Sequence, residues 1–223
     1  MDDEKAHNTP FVIFLLLFFG MWILRATVFY SIDLQFEPTV ERRIYSELLK
    51  IIFWSLPVIL FLKFANGGDP WTKLKLTTKP NIKGLLLGIA AAIAYFALTI
   101  GFELYAHDKS LDLNFTAADI LRLLGSVSIS PVSEEIMFRG FILQKFSGMT
   151  SFGKANVLTS ILFVAIHLPN WLWVNGFQLW IPLVSAGIFI LSLVLGWMVK
   201  KSDSLYPAIA AHIVNNFIAA LLK

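Results

Sequence analysis

Long apolar runs dominate this chain: residues 11–32, 45–64, 84–105, 155–168, 179–199 and 205–222 carry few charges, and a further run follows Pro131 to 146. A helix needs roughly 20 apolar residues to cross a hydrocarbon core of about 30 Å, and only helices or closed barrels satisfy their backbone there. The expected fold is therefore all-α, a polytopic transmembrane bundle of about seven spanning helices with an interfacial amphipathic helix. Hydrophobic residues make up 57% of the 223 and charged ones 15%, more apolar surface than a soluble core can hide. One integral membrane domain, 1–223, accounts for that length. Cysteine is absent, which excludes disulfides, thiol catalysis and thiolate metal sites. The net charge of +3 comes from lysines scattered in short connections, so it speaks for positive-inside topology and against nucleic-acid binding.

Residues 11–32 follow a short polar start without a small-residue cleavage site and read as a first span, not a removed signal peptide. Arg25 within it reads as a snorkelling or bundle-facing side chain. The charged connection 37–43 leads to a second span kinked at Pro57, where Glu47 and Lys50 stand one turn apart and are expected to pair at the interface. Gly67-Gly68-Asp69-Pro70 signals a turn, and Lys73, Lys75, Lys79 and Lys83 mark a cytoplasmic loop. The third span is rich in Ala and Gly, as a closely packed helix should be.

Residues 114–124 have the pattern of an amphipathic helix along the interface, with Thr116 as N-cap and Asp119 in the first turn. Pro131 favours a fresh helix start and biases Ser130 away from helical geometry, so the fourth span runs 131–146. The fifth, 155–168, is stopped by Pro169, and the tryptophans from Trp171 to Trp180 read as an interfacial belt. Lys200-Lys201-Ser202-Asp203 separates the last two spans. Basic connections after spans two, four and six put the N-terminus inside and the C-terminus outside, with Arg42, Arg43, Lys109 and Arg122 dissenting.

An ionisable side chain at the bilayer centre costs about 2.5 to 3.5 kcal/mol on insertion scales. Glu134, Glu135, Arg139, His167, His212 and Asn216 nevertheless lie inside or at the mouth of apolar spans. Residues four apart on a helix share a face and neighbours diverge by about 100°. Glu135 and Arg139 can therefore pair, as an ion pair that holds a bundle together, while Glu134 points elsewhere without a partner in its own helix. A carboxylate in an apolar, partly hydrated pocket suits general acid and base work. Spans four and five should be antiparallel neighbours, which brings the start of one level with the end of the other, so that Glu134 and His167 can meet. His212 and Asn216 share a face of the last span, where they serve either helix-to-helix hydrogen bonding or oxyanion stabilisation. One carboxylate, two imidazoles and an amide cover peptide-bond hydrolysis without a serine or cysteine nucleophile.

Glu134-Glu135-Ile136-Met137-Phe138-Arg139, Phe163-Val164-Ala165-Ile166-His167 and His212-Ile213-Val214-Asn215-Asn216 resemble the three signatures of the CAAX-protease and bacteriocin-processing family of intramembrane endopeptidases. Those signatures read Glu-Glu-x-x-x-Arg, Phe-x-x-x-His and His-x-x-x-Asn, and here they fall in order within 131–216, the expected catalytic core. The resemblance implies that Glu134 and His167 activate the attacking water, that His212 and Asn216 stabilise the oxyanion, and that Glu135 and Arg139 hold the geometry. Members are often labelled metalloproteases. There is no His-Glu-x-x-His helix, however, and the four polar positions would bind zinc only by giving up their separate tasks, so no cofactor is expected to be required. The expected partners are the lipid bilayer and a peptide or membrane-associated protein substrate, in a bacterial plasma membrane. Resemblance to the compact bacterial members points to leader peptides, bacteriocins or signalling peptides more than to prenylated proteins. The alternative is a non-enzymatic bacteriocin immunity or partner-binding membrane protein, and a proton or ion pathway is a third reading.

Overall fold

The computed structural model describes residues 2–33, 35, 40–64, 68–106, 120, 123, 127 and 129–221. With each π-helical turn counted as part of the helix it interrupts, the described residues form eight helices and a single turn, Pro70–Lys73. The helices are α1 (2–33), α2 (40–64), α3 (Ile82–Ala106), α4 (130–149), α5 (Phe152–Ala165), α6 (Leu168–Asn175), α7 (Trp180–Ser202) and α8 (Tyr206–Leu221). Among the described residues, four stretches are long and apolar enough to cross a membrane: Thr9–Ile32, Ile82–Gly101, Phe152–Asn175 and Trp180–Ser202. Helices α2 and α4 carry the charged residues of the centre, and α8 is shorter. The protein is a polytopic helical membrane bundle. Of the expected interfacial helix 114–124 only Ile120 and Leu123 are described; Thr116, Asp119, Lys109, Arg122 and the side chains of Arg42 and Arg43 lie outside the described residues.

Local chemistry explains where the elements begin and end. Asp69 caps the turn at 70–73, its carboxylate accepting from the Thr72 hydroxyl at 2.7 Å and the Thr72 amide at 2.9 Å, which holds this carboxyl below its ordinary range. Helix α4 opens at Ser130, one residue before the proline, and Ile129 is already right-handed at φ −73°, ψ −45°. The expected bias of Ser130 away from helix is overridden because Pro131 sits in the first turn, where its missing N–H has no partner to lose. In α2 a π-helical turn, Ile51–Ser55, contains Phe53, the residue whose carbonyl the Pro57 ring would otherwise crowd. Pro169 does not stop the fifth span. The break falls earlier, where the His167 amide turns back to the Val164 carbonyl at 3.0 Å, and Pro169 instead lies in the opening turn of α6. The expected tryptophan belt thus begins as a helix, closed at Gly176 with φ +63°.

Small residues let two pairs of helices approach closely. A Cβ on Gly84 would stand 1.8 Å from the Lys201 carbonyl oxygen, so α3 meets α7 backbone to backbone, as its Ala and Gly content anticipates. On α7, a Cβ at Gly196 would stand 1.9 Å from Asn156 Oδ1, and the same Asn156 donates to the Leu193 carbonyl at 2.9 Å. At one end of the bundle the basic connections gather. Lys75 Nζ meets Asp203 Oδ1 at 2.5 Å, the Leu205 amide donates to the Lys75 carbonyl at 3.1 Å, and Lys73 borders a small pocket with Lys145.

The core joining α1, α2, α4 and α5 is aromatic. Phe14 and Phe141 stand edge to face at 5.0 Å between centroids, Trp22 and Trp54 at 4.8 Å, and Phe138 and Phe163 at 5.0 Å. Such pairs contribute about 0.5–1.5 kcal/mol beyond area burial. Phe163 in turn stands edge to face with the His212 ring at 5.8 Å between centroids.

Candidate active site

Glu134 and Glu135 close the opening turns of α4 and are followed at once by a π-helical turn, Ile136–Ile142, which holds Arg139. π-Turns inside α-helices concentrate at functional sites because they re-aim side chains. Glu135 and Arg139 are fully buried, and Arg139 Nη1 donates to Glu135 Oε1 at 2.8 Å, the pairing expected from their spacing. Arg139 Nη2 also reaches the Ser192 carbonyl at 3.3 Å, and its guanidinium lies 4.3 Å from the Phe163 ring centroid. The pair therefore ties α4 to α7 and α5.

His212 of α8 stands between the two neighbouring carboxylates. Its Nδ1 is 2.8 Å from Glu135 Oε1, and its Nε2 is 3.9 Å from Glu134 Oε2. A carboxylate already taken by an arginine accepts, so Nδ1 donates to it, and Nε2 faces Glu134. His167, at the break between α5 and α6, is set by the same reasoning. Its Nδ1 donates to the Phe163 carbonyl at 2.9 Å, which leaves the lone pair on Nε2. The ring is flanked by Phe163 and Trp171, each at 5.4 Å between centroids.

Glu134 and His167 both line a cavity of about 1480 Å³ between α1, α2, α4 and the α5–α6 corner. Its walls are mainly apolar, with Phe18, Trp22, Phe53 and Trp171 among them, and its rim carries the exposed Leu17 and Phe29. Arg25, expected only to snorkel or face the bundle, is half-buried on this wall. The structure thus brings together Glu134, His167 and His212, with Glu135 and Arg139 directly behind. Asn216 lies one turn beyond His212 on α8, half-buried, and its Oδ1 accepts from the Asn215 amide at 3.3 Å.

Residue spacing alone missed the partner of Glu134. Lys50 of α2 donates to Glu134 Oε1 at 2.9 Å and to Ser130 Oγ at 2.8 Å, and Ser130 Oγ in turn donates to Glu47 Oε2 at 3.3 Å. The expected Glu47–Lys50 interface pair is corrected accordingly: the two side chains converge on Ser130, and the Lys50 ammonium serves the α4 carboxylate. A lysine inside an apolar span was the available signal, the same one that marked the glutamates and histidines.

Residues 116–218 match the family described as type II CAAX prenyl endopeptidase, Rce1-like. Over 185 residues the chain is 30% identical to the uncharacterised protein YyaK of Bacillus subtilis (strain 168). That alignment covers 77% of this chain and 58% of YyaK, so the chain spans little more than half the length of the curated relative it matches. No solved structure matches the chain.

Proposed function

We propose that this membrane protein, whose residues 116–218 match the Rce1-like family, is an intramembrane endopeptidase acting through glutamate-activated water. The observation that carries the reading is the placement of Glu134 and His167 on the wall of one apolar cavity, with His212 Nε2 3.9 Å from the Glu134 carboxylate.

In this reading a water held between Glu134 Oε2 and His167 Nε2 loses a proton to Glu134 as its oxygen attacks the scissile carbonyl carbon. The carbonyl π electrons move to oxygen. His212, in its protonated form, donates Nε2–H to that oxyanion, and the Asn216 side-chain amide is the second donor. Collapse reforms the carbonyl, breaks the C–N bond, and the amine leaves with the proton that Glu134 held. Glu135 and Arg139 keep the His212 ring in register; they do not touch the substrate.

Zinc is not required in this proposal. Lys50 engages Glu134 Oε1, Arg139 and His212 share Glu135 Oε1, and the Phe163 carbonyl holds His167 Nδ1. An ammonium 2.9 Å from Glu134 opposes a second cation there, and among the described residues no three His, Asp or Glu side chains are grouped to hold an ion. The cavity of about 1480 Å³ exceeds the roughly 300–1,000 Å³ of small-molecule pockets and suits an extended apolar segment. Leader peptides, bacteriocins or signalling peptides in a bacterial plasma membrane are the substrates proposed.

Incubation of the detergent-purified protein with a peptide library, read by mass spectrometry with and without a chelator, tests this. Cleavage that survives the chelator supports the proposal. No cleavage of any peptide would turn the reading towards an immunity or partner-binding protein, and cleavage abolished by the chelator and restored by zinc would overturn the metal-free mechanism.

A further inference from the structure

Lys50 lies on α2, far outside the residues 116–218 that carry the family match, yet its ammonium makes the direct contact with the proposed base. We infer that Lys50 is a positioning residue for Glu134, one that clamps Oε1 so that Oε2 alone is presented to water. This rests on the reading of Glu134 as the base.

A glutamate side chain has three rotatable bonds, and a base that swings among rotamers spends little time aimed at a water. Effective catalysis needs the reacting atoms near 3 Å and aligned, and a displacement of about 1 Å costs on the order of 100-fold. Lys50 removes that freedom at one oxygen. Its Nζ is held in two directions, by Glu134 Oε1 at 2.9 Å and by Ser130 Oγ at 2.8 Å, and it stands 5.5 Å from the Trp54 ring centroid. Ser130 is fixed in its turn, because its hydroxyl donates to the buried Glu47 at 3.3 Å. The lysine side chain keeps only 23% of its exposure, so solvent competes weakly for the bond. With Oε1 occupied, Oε2 is the oxygen that faces His212 Nε2. The base is thereby set between a lysine from α2 and a histidine from α8, two elements separate in sequence.

A positioning role differs from substrate binding in kinetics. A side chain that aims the base acts on the chemical step and leaves ground-state affinity alone, whereas a cation that grips the substrate's own carboxylate acts on KM. Lys50→Met keeps the length of the stem and removes the ammonium; Lys50→Arg restores a cation and a donor; Ser130→Ala frees the ammonium from its second tether. With a cleaved peptide in hand, Lys50→Met is expected to lower kcat by about 10- to 100-fold with KM within about threefold, Lys50→Arg to recover much of the loss, and Ser130→Ala to lower kcat by about threefold.

A Lys50→Met protein with raised KM and unchanged kcat overturns the inference in favour of substrate binding, and one unchanged in both overturns it outright. Should Lys50→Met fail to fold, Ser130→Ala decides, since wild-type kcat and KM there would show that the clamp does not aim the base. A wild-type protein that cleaves nothing removes the protease reading, while cleavage that is lost in Glu134→Gln and kept at full rate in Lys50→Met removes only this inference.

Discussion

Glu134 and Glu135 are neighbours in the chain and occupy two different regions of the molecule. Glu134 is on the wall of the cavity, 2.9 Å from a lysine that is itself partly exposed. Glu135 is sealed behind it, fully buried, and shared between Arg139 and His212 at 2.8 Å each. The wall region has a cavity-facing carboxylate partly committed to Lys50; the sealed region has a strut that links α4, α7 and α8. Identical side chains one residue apart thus face a cavity and a sealed interior, because the helix turns by about 100° between them, and the proposed mechanism gives chemistry to the first and architecture to the second.

The comparison predicts that the two regions respond to mutation in different observables. His167→Ala, on the wall, is expected to lower turnover by about 10²–10⁴ with little change in melting temperature in detergent, because the ring's hydrogen bond is local, to the Phe163 carbonyl four residues back. A large drop in stability without loss of turnover would place His167 with the architecture. Arg139→Met, in the strut, leaves the Glu135 carboxylate buried without its guanidinium partner and is expected to cost about 3–5 kcal/mol of stability. Near-wild-type melting would break the distinction between the regions. Ser160→Ala removes a buried hydrogen bond with Ser192, whose carbonyl takes the Arg139 guanidinium, and should cost about 1 kcal/mol with kcat unchanged. A change in kcat there would join the two regions into one.

The strut was more legible than the wall. Glu135 and Arg139 stand four apart on one helix, and local geometry makes such a pair visible from spacing alone. The antiparallel arrangement of spans four and five likewise followed from their short connection and put His167 near Glu134. By contrast, Lys50 and Glu134 are 84 residues apart, and nothing periodic links them. The i, i+3 spacing of Glu47 and Lys50 suggested a local pair, but Ser130 and Glu134 offer better-buried partners and tertiary contact prevails. The dual contact of His212 was hidden for a similar reason. Sequence shows that it shares a face with Asn216, not that α8 docks between two carboxylates of α4. In sequence Pro169 reads as a stop, yet it lies in the opening turn of α6, because the first turn needs no N–H from it.

The division of labour between the adjacent glutamates is tested most directly by measuring peptide cleavage and detergent melting side by side for Glu134→Gln and Glu135→Gln. The account predicts that Glu134→Gln loses turnover by about 10³-fold or more while melting close to wild type, and that Glu135→Gln loses stability first. A folded Glu134→Gln protein that cleaves its peptide at the wild-type rate would contradict it.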